Sequence, residues 1–128
     1  MKQILLIDDD KAFQFMFDQL MESCGKNMAY DLHTEDGAFS ALEYLNTTDK
    51  FPEYIFVDLL MPIMNGWDFL AHFKKHFSAK YSPTIIMISG STFDSDRDKA
   101  VGFSFVSDFI SKPINIEDLN KVFEISSN

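Results

Sequence analysis

The strongest constraint on this chain's fold is a set of short, unbroken apolar runs that stop at polar residues. Ile4-Leu5-Leu6-Ile7 ends at Asp8, Ile55-Phe56-Val57 at Asp58, and Ile85-Ile86-Met87-Ile88 at Ser89. Each run is rich in branched or aromatic side chains and lacks polar alternation. Such runs suit strands buried on both faces, as in a parallel sheet covered by helices on either side. Weaker strand candidates are residues 28–33, where Met28, Tyr30 and Leu32 alternate, and 108–111 around Phe109-Ile110.

Helix-period segments lie between these runs. Phe13, Met16, Phe17, Leu20, Met21 and Cys24 recur at i, i+3, i+4 and i+7, as do Ala38, Ala41, Leu42 and Leu45, and then Leu70, Phe73 and Phe77. A more polar stretch over 94–103 is a fourth candidate, and 117–125 a fifth, with Asn115 or Asp118 as its cap. Strand then helix, five times over, predicts a doubly wound α/β fold with a parallel sheet. At 128 residues the chain closes one hydrophobic core, so a single domain over 1–128 is expected.

Charge narrows the partners. Twenty acidic residues against 11 basic ones leave a formal net charge of −9, and such a surface repels nucleic-acid backbones. The N-terminal apolar run is too short and too soon followed by aspartates for a signal peptide. No apolar run reaches the roughly 18 residues that span a bilayer, so a cytoplasmic protein that does not enter membranes is expected. Cys24 is the one cysteine, which excludes an internal disulfide and is expected to be a buried, inert thiol.

In an open parallel sheet, ligands bind beyond the carboxyl ends of the strands, where the strand order reverses. The residues there are Asp8-Asp9-Asp10, Asp58, Ser89-Gly90 and Lys112-Pro113. Singly, each aspartate has an ordinary use as a turn or helix cap. Together, Asp8, Asp9 and Asp58 would repel one another unless neutralised, and a divalent cation with oxygen ligands, Mg²⁺ above all, resolves the conflict. A carboxylate can also attack a phosphoryl group, whose oxygens then need a cation, an ammonium and a hydroxyl. Asp58, the metal, Lys112 and Ser89 match those roles. His33, His72 and His76 follow no ligand pattern with the carboxylates and are expected to be solvated.

Asp8-Asp9 after the first strand, Asp58-Leu59-Leu60-Met61-Pro62 with Asn65-Gly66 downstream, Ser89-Gly90 and Lys112-Pro113 resemble the receiver domain of two-component response regulators, over residues 3–125. The resemblance implies a flavodoxin-like (βα)5 sheet in the order 2-1-3-4-5. It implies Asp58 as phosphoacceptor from a histidine of a sensor kinase or a phosphotransfer protein. It implies Mg²⁺ or Mn²⁺ held by Asp9, Asp8, Asp58 and the backbone carbonyl of Leu60. Lys112 would pair with the phosphoryl group and with Asp58. Ser89 and Phe109 would form the switch, and the Lys112–Pro113 bond is a candidate cis peptide. Such a protein is a regulator rather than an enzyme, catalysing at most its own phosphorylation and dephosphorylation.

Phe105-Val106-Ser107-Asp108 departs from the family's usual Gly-Ala-Asp, Leu60 is apolar where some members are polar, and Phe109 lacks the hydroxyl of a tyrosine. Three residues follow Ile125, so no attached output domain is expected. Output would pass to a protein partner through the face formed by the family's fourth helix, fifth strand and fifth helix. One or two of Phe93, Phe103, Phe105, Phe109 and Phe123 are expected to be exposed there. Three other readings compete. An aspartyl phosphatase would need an acid two residues after the nucleophile, where Leu60 stands. A flavin or nucleotide module would need a phosphate loop where three aspartates stand. A non-phosphorylated adaptor would have no reason to keep the whole set.

Overall fold

The run Tyr54–Asp58 forms the central strand, β3, and all five of its residues are buried. A computed structural model describes residues 1–90 and 106–126 of the chain. In it β1 (Lys2–Ile7), β2 (Tyr30–Glu35), β3, β4 (Thr84–Ser89) and β5 (Val106–Ser111) make one sheet. Every pairing is parallel and the order is β2-β1-β3-β4-β5. Helices α1 (Lys11–Ser23), α2 (Ala38–Thr47), α3 (Gly66–His76) and α4 (Ile116–Ser126) accompany it, with a 3₁₀ turn at Lys26–Met28. The expected helix over 94–103 lies outside the described residues, as do Phe93, Phe103 and Phe105.

Side chains along a strand alternate between faces, and the core divides accordingly. Leu5, Ile7, Ile55, Val57, Ile85 and Met87 face α2 and α3, meeting Ala41, Leu45, Phe69 and Phe73. Ile4, Leu6, Phe56, Ile86 and Ile88 face α1 and α4, meeting Phe13, Phe17, Leu119 and Val122. Each fully buried side chain of this size contributes about 1.5–3 kcal/mol. Apolar pressure on both faces is why these strands read as continuous runs.

Two strand boundaries differ from the expectation. β2 runs over Tyr30–Glu35 rather than 28–33, and Met28 sits exposed in the 3₁₀ turn. It is an edge strand with half-solvated residues, so Thr34 and Glu35 belong to it without an apolar signature. β5 begins two residues early, at Val106, and an irregularity in its pairing with β4 passes over Ser107. Cys24, expected to be buried, is the half-buried C-cap of α1. Phe123, a candidate for the exposed patch, is core, with Tyr30 and Tyr54 against its ring. Phe109 is half-buried against the α2–α3 core. Among the described residues, the exposed phenylalanines lie earlier, at Phe15, Phe39 and Phe51.

Candidate functional site

From β1 the chain crosses to β2 on one side and then to β3 on the other, so the strand order reverses between β1 and β3. That reversal opens a crevice beyond their carboxyl ends. The sheet's hydrogen bonds continue one residue past the strands. The Asp8 N–H donates to the Glu35 carbonyl (3.1 Å), Leu59 N–H to Ile88 (2.8 Å) and Lys112 N–H to Ser89 (2.7 Å). Asp8, Asp58, Ser89 and Lys112 are thereby brought level along one edge.

Asp8 is completely buried. Its Oδ1 accepts from the Asp10 N–H at 2.9 Å, and its carbonyl accepts from Gln14 Nε2 at 2.7 Å. Gln14 also reaches Asp36 at 2.8 Å, tying the end of β1 to the loop after β2. Asp10 is a cap rather than a member of the pocket: its side chain accepts from the Ala12 and Phe13 amides at the start of α1. The pivot between β1 and α1 is therefore fixed by backbone–carboxylate bonds that use neither Asp8 Oδ2 nor the Asp9 carboxylate.

The other wall is built by close approach. α3 starts with a capping box, Asn65 and Asp68 each accepting from the other's amide. Gly66 follows, its N–H donating to the Leu59 carbonyl at 2.9 Å. A Cβ on Gly66 would lie 2.7 Å from the Asp58 carbonyl oxygen and 3.0 Å from Leu59 Cα, so only glycine fits. Between them, Ile63 holds a left-handed backbone (φ 70°) with its side chain fully in solvent.

Asp8, Asp9 and Asp58 each offer an oxygen within 4.8 Å of the others, with Asp8 and Asp58 buried and Asp9 exposed. Burial pushes the Asp58 carboxyl up to about 6 from an ordinary 3.8, and the Asp8 charge adds to this. Lys112 and the Leu60 amide pull it the other way. Lys112 Nζ lies 2.9 Å from Asp8 and 3.7 Å from Asp58, nearer the β1 carboxylate than the one expected to pair with it. Burial opposes the charge on Lys112, but pairing with Asp8 and the charge of Asp58 outweigh it and raise its pKa. The Lys112–Pro113 bond is cis.

One ammonium does not balance three carboxylates. Asp8 Oδ2 is buried, and the Lys112 ammonium lies 2.9 Å from it. Three carboxylates, two of them buried, facing one ammonium make an all-oxygen cluster that fits a hard divalent cation. These residues can hold a metal ion.

Ser89 is buried at the end of β4, and Phe109 lies on β5 in register with Met87. His72 and His76 lie exposed on α3, away from the cluster, whereas His33 is half-buried and pairs with Glu35 at 2.5 Å. Sequence reasoning missed two positioning features. The Gly66 contact is foreshadowed by Asn65-Gly66 after a strand, but the approach distance is not. The ring of Phe13 lies under Lys112, its centroid 4.3 Å from Nζ, while helical spacing marks Phe13 only as core. Among the described residues, no helix is long and apolar enough to cross a membrane.

Known proteins share this chain's sequence pattern and fold. The family model described as response regulator receiver domain matches residues 4–124. Protein PilG of Pseudomonas aeruginosa is 31% identical over 118 residues, covering 91% of this chain and 81% of that protein. The sensor histidine kinase CheAY of Helicobacter pylori is 31% identical over 123 residues, covering 96% of this chain but only 15% of that protein. Among solved structures, a two-component response regulator from Cytophaga hutchinsonii superimposes with a TM-score of 0.89 at 26% identity, covering 100% of this chain and 98% of that one. The chain belongs to the response regulator receiver domains of two-component phosphorelay systems.

Proposed function

We propose that Asp58 is the phosphoacceptor, taking a phosphoryl group from a phosphohistidine of a sensor kinase or phosphotransfer protein in a Mg²⁺-dependent reaction. The observation that carries this is the placement of a buried Asp58 carboxylate within 4.8 Å of two other carboxylates and 3.7 Å from an ammonium. Asp8, Asp9, Asp58 and the Leu60 carbonyl would hold the ion, Mn²⁺ serving equally. When bound, the ion offsets the carboxylate charge and that of the incoming phosphoryl oxygens.

An Asp58 oxygen attacks phosphorus as the bond from phosphorus to the donor's imidazole nitrogen breaks, its electron pair leaving with the nitrogen. Lys112, already beside Asp58, meets one transferred oxygen, and the Ser89 hydroxyl meets another. The acyl phosphate adds negative charge to a buried corner, and Ser89 turning toward it leaves room for the Phe109 ring to follow. A protein partner reads that change at the face carrying β5 and α4. The chain so acts as a regulator in the cytoplasm, with no direct nucleic-acid contact.

The test is incubation with acetyl phosphate and Mg²⁺, followed by intact-mass measurement. One phosphoryl adduct is expected, lost in Asp58→Asn and without Mg²⁺. An adduct that persists in Asp58→Asn overturns the assignment, and rapid turnover of many donor molecules would make the protein a phosphatase instead.

A further inference from the structure

We propose that Phe13 is a positioning residue for Lys112, holding its ammonium beside the carboxylate cluster through the face of the ring. The inference rests on the phosphoacceptor reading of that cluster and adds a residue to it. Lys112 Nζ lies 4.3 Å from the Phe13 ring centroid, well inside the ~6 Å over which a cation is attracted to an aromatic face. The same ammonium lies 2.9 Å from Asp8 and 3.7 Å from Asp58. Its side chain is 22% exposed, so the contact is largely desolvated, the condition under which such attraction is strongest.

The ring is itself immobilised. Phe13 is 7% exposed, and its amide donates to the Asp10 cap at 3.3 Å. It packs against Phe17 at 6.2 Å, and Phe17 meets Phe56 edge to face at 4.9 Å. Phe56 is on β3, two residues before Asp58. Lys112 and Asp58 are thus referred to one chain of ring contacts as well as to one another.

The ring matters because of what happens to Asp8. Lysine is a compact charge on a flexible stem, and its ammonium lies nearer that carboxylate than Asp58. A cation bound by the same carboxylate would share its charge and loosen the ion pair. The ring has no charge to share, so it continues to hold the ammonium where Asp58 reacts. Core packing alone would be satisfied at this helical position by leucine or methionine.

The test replaces Phe13 with 4-fluoro-, 3,5-difluoro- and 3,4,5-trifluorophenylalanine, which nearly keep its shape while draining negative charge from the ring face, and compares Phe13→Leu. Two quantities are measured on the full chain: the rate of Asp58 phosphorylation by acetyl phosphate at saturating Mg²⁺, and the NMR shifts of the Lys112 ε-methylene protons. The rate should fall stepwise with each fluorine, to roughly tenfold below the parent for the trifluoro ring and for Phe13→Leu. The ε protons should show an upfield ring-current shift that disappears in Phe13→Leu. A fluorinated series that stays within about twofold of the parent overturns the proposal, because a packing role is blind to ring charge. So does an unchanged ε shift in Phe13→Leu. A parent chain that takes no phosphoryl group overturns the phosphoacceptor reading instead, and the ε shift then decides whether the ring holds the ammonium.

Discussion

The α-carbon of Gly66 passes so close to the end of β3 that a methyl group on it would lie 2.7 Å from the carbonyl oxygen of Asp58. The first turn of α3 and the buried carboxylate are locked together, and the backbone on one side of the site cannot move without the other. Gly66→Ala must push α3 away from β3, at a cost of about 1–3 kcal/mol in unfolding free energy. Urea denaturation should show this loss, together with weaker metal binding read from the fluorescence of the neighbouring Trp67. Unchanged stability would mean that the two elements are not rigidly coupled.

The elevated Asp58 pKa sets a pH dependence for the metal-free protein. A carboxyl held at about 6 in the fold and 3.8 in the unfolded chain binds its proton more tightly when folded. Its contribution to stability is therefore complete below pH 4 and is lost as pH rises through 6. The loss amounts to about 3 kcal/mol across that window. Stability measured in EDTA, as the difference between the parent and Asp58→Asn, should shift by this amount in favour of the variant. Saturating Mg²⁺ should restore the parent, since a cation replaces the proton. A difference that grows in the parent's favour with rising pH would contradict the burial argument.

Lys112 both stabilises and competes. With no metal bound, Lys112→Met leaves Asp8 and Asp58 without their ammonium, and destabilisation of about 3–5 kcal/mol is expected. The same substitution removes a cation that a metal must otherwise share carboxylates with. Mg²⁺ should therefore recover most of the stability, while phosphorylation by acetyl phosphate falls sharply. Calorimetric melting with and without the ion separates the two effects.

Asp10 offers the contrast. It lies among the aspartates that follow β1, but it caps α1 rather than lining the cluster. Asp10→Ala should cost about 1 kcal/mol of stability, as a lost N-cap does, and leave Mg²⁺ affinity within about twofold. A tenfold loss of affinity would place its charge in the site.

Ile63 is a branched side chain in a left-handed conformation, exposed and unsupported by packing. Such backbone costs about 1–2 kcal/mol for a residue with a Cβ, and asparagine tolerates it better. Ile63→Asn should raise the unfolding free energy by about 1 kcal/mol without altering Mg²⁺ affinity. Reduced stability would show that the loop relaxes around isoleucine.

Strands β1, β3 and β4 are legible because burial on both faces leaves unbroken apolar runs at Ile4–Ile7, Ile55–Val57 and Ile85–Ile88 within them. The polar residues that end them, Asp8, Asp58 and Ser89, were legible for the same reason. The edge strand β2 was read two residues early, because one side of it meets solvent and Thr34 and Glu35 need not be apolar. The positions after strands mark Asp8, Asp9 and Asp58 as a group, but they do not say what Asp10 does instead. Cap and ligand use the same side chain, and only the direction of α1 separates them.

The sequence by itself determined the central strands β1, β3 and β4, the apolar faces of α1, α2 and α3, and the polar groups that end those strands. Those properties follow from local periodicity and from the transfer of apolar side chains out of water. Tertiary structure alone decided that Lys112 lies nearer Asp8 than Asp58, that Phe13 lies under its ammonium, that Phe123 is core, and that α3 touches β3 at Gly66. Each is a distance between segments remote along the chain. Electrostatic pairing and close packing depend on ångströms that periodicity does not encode.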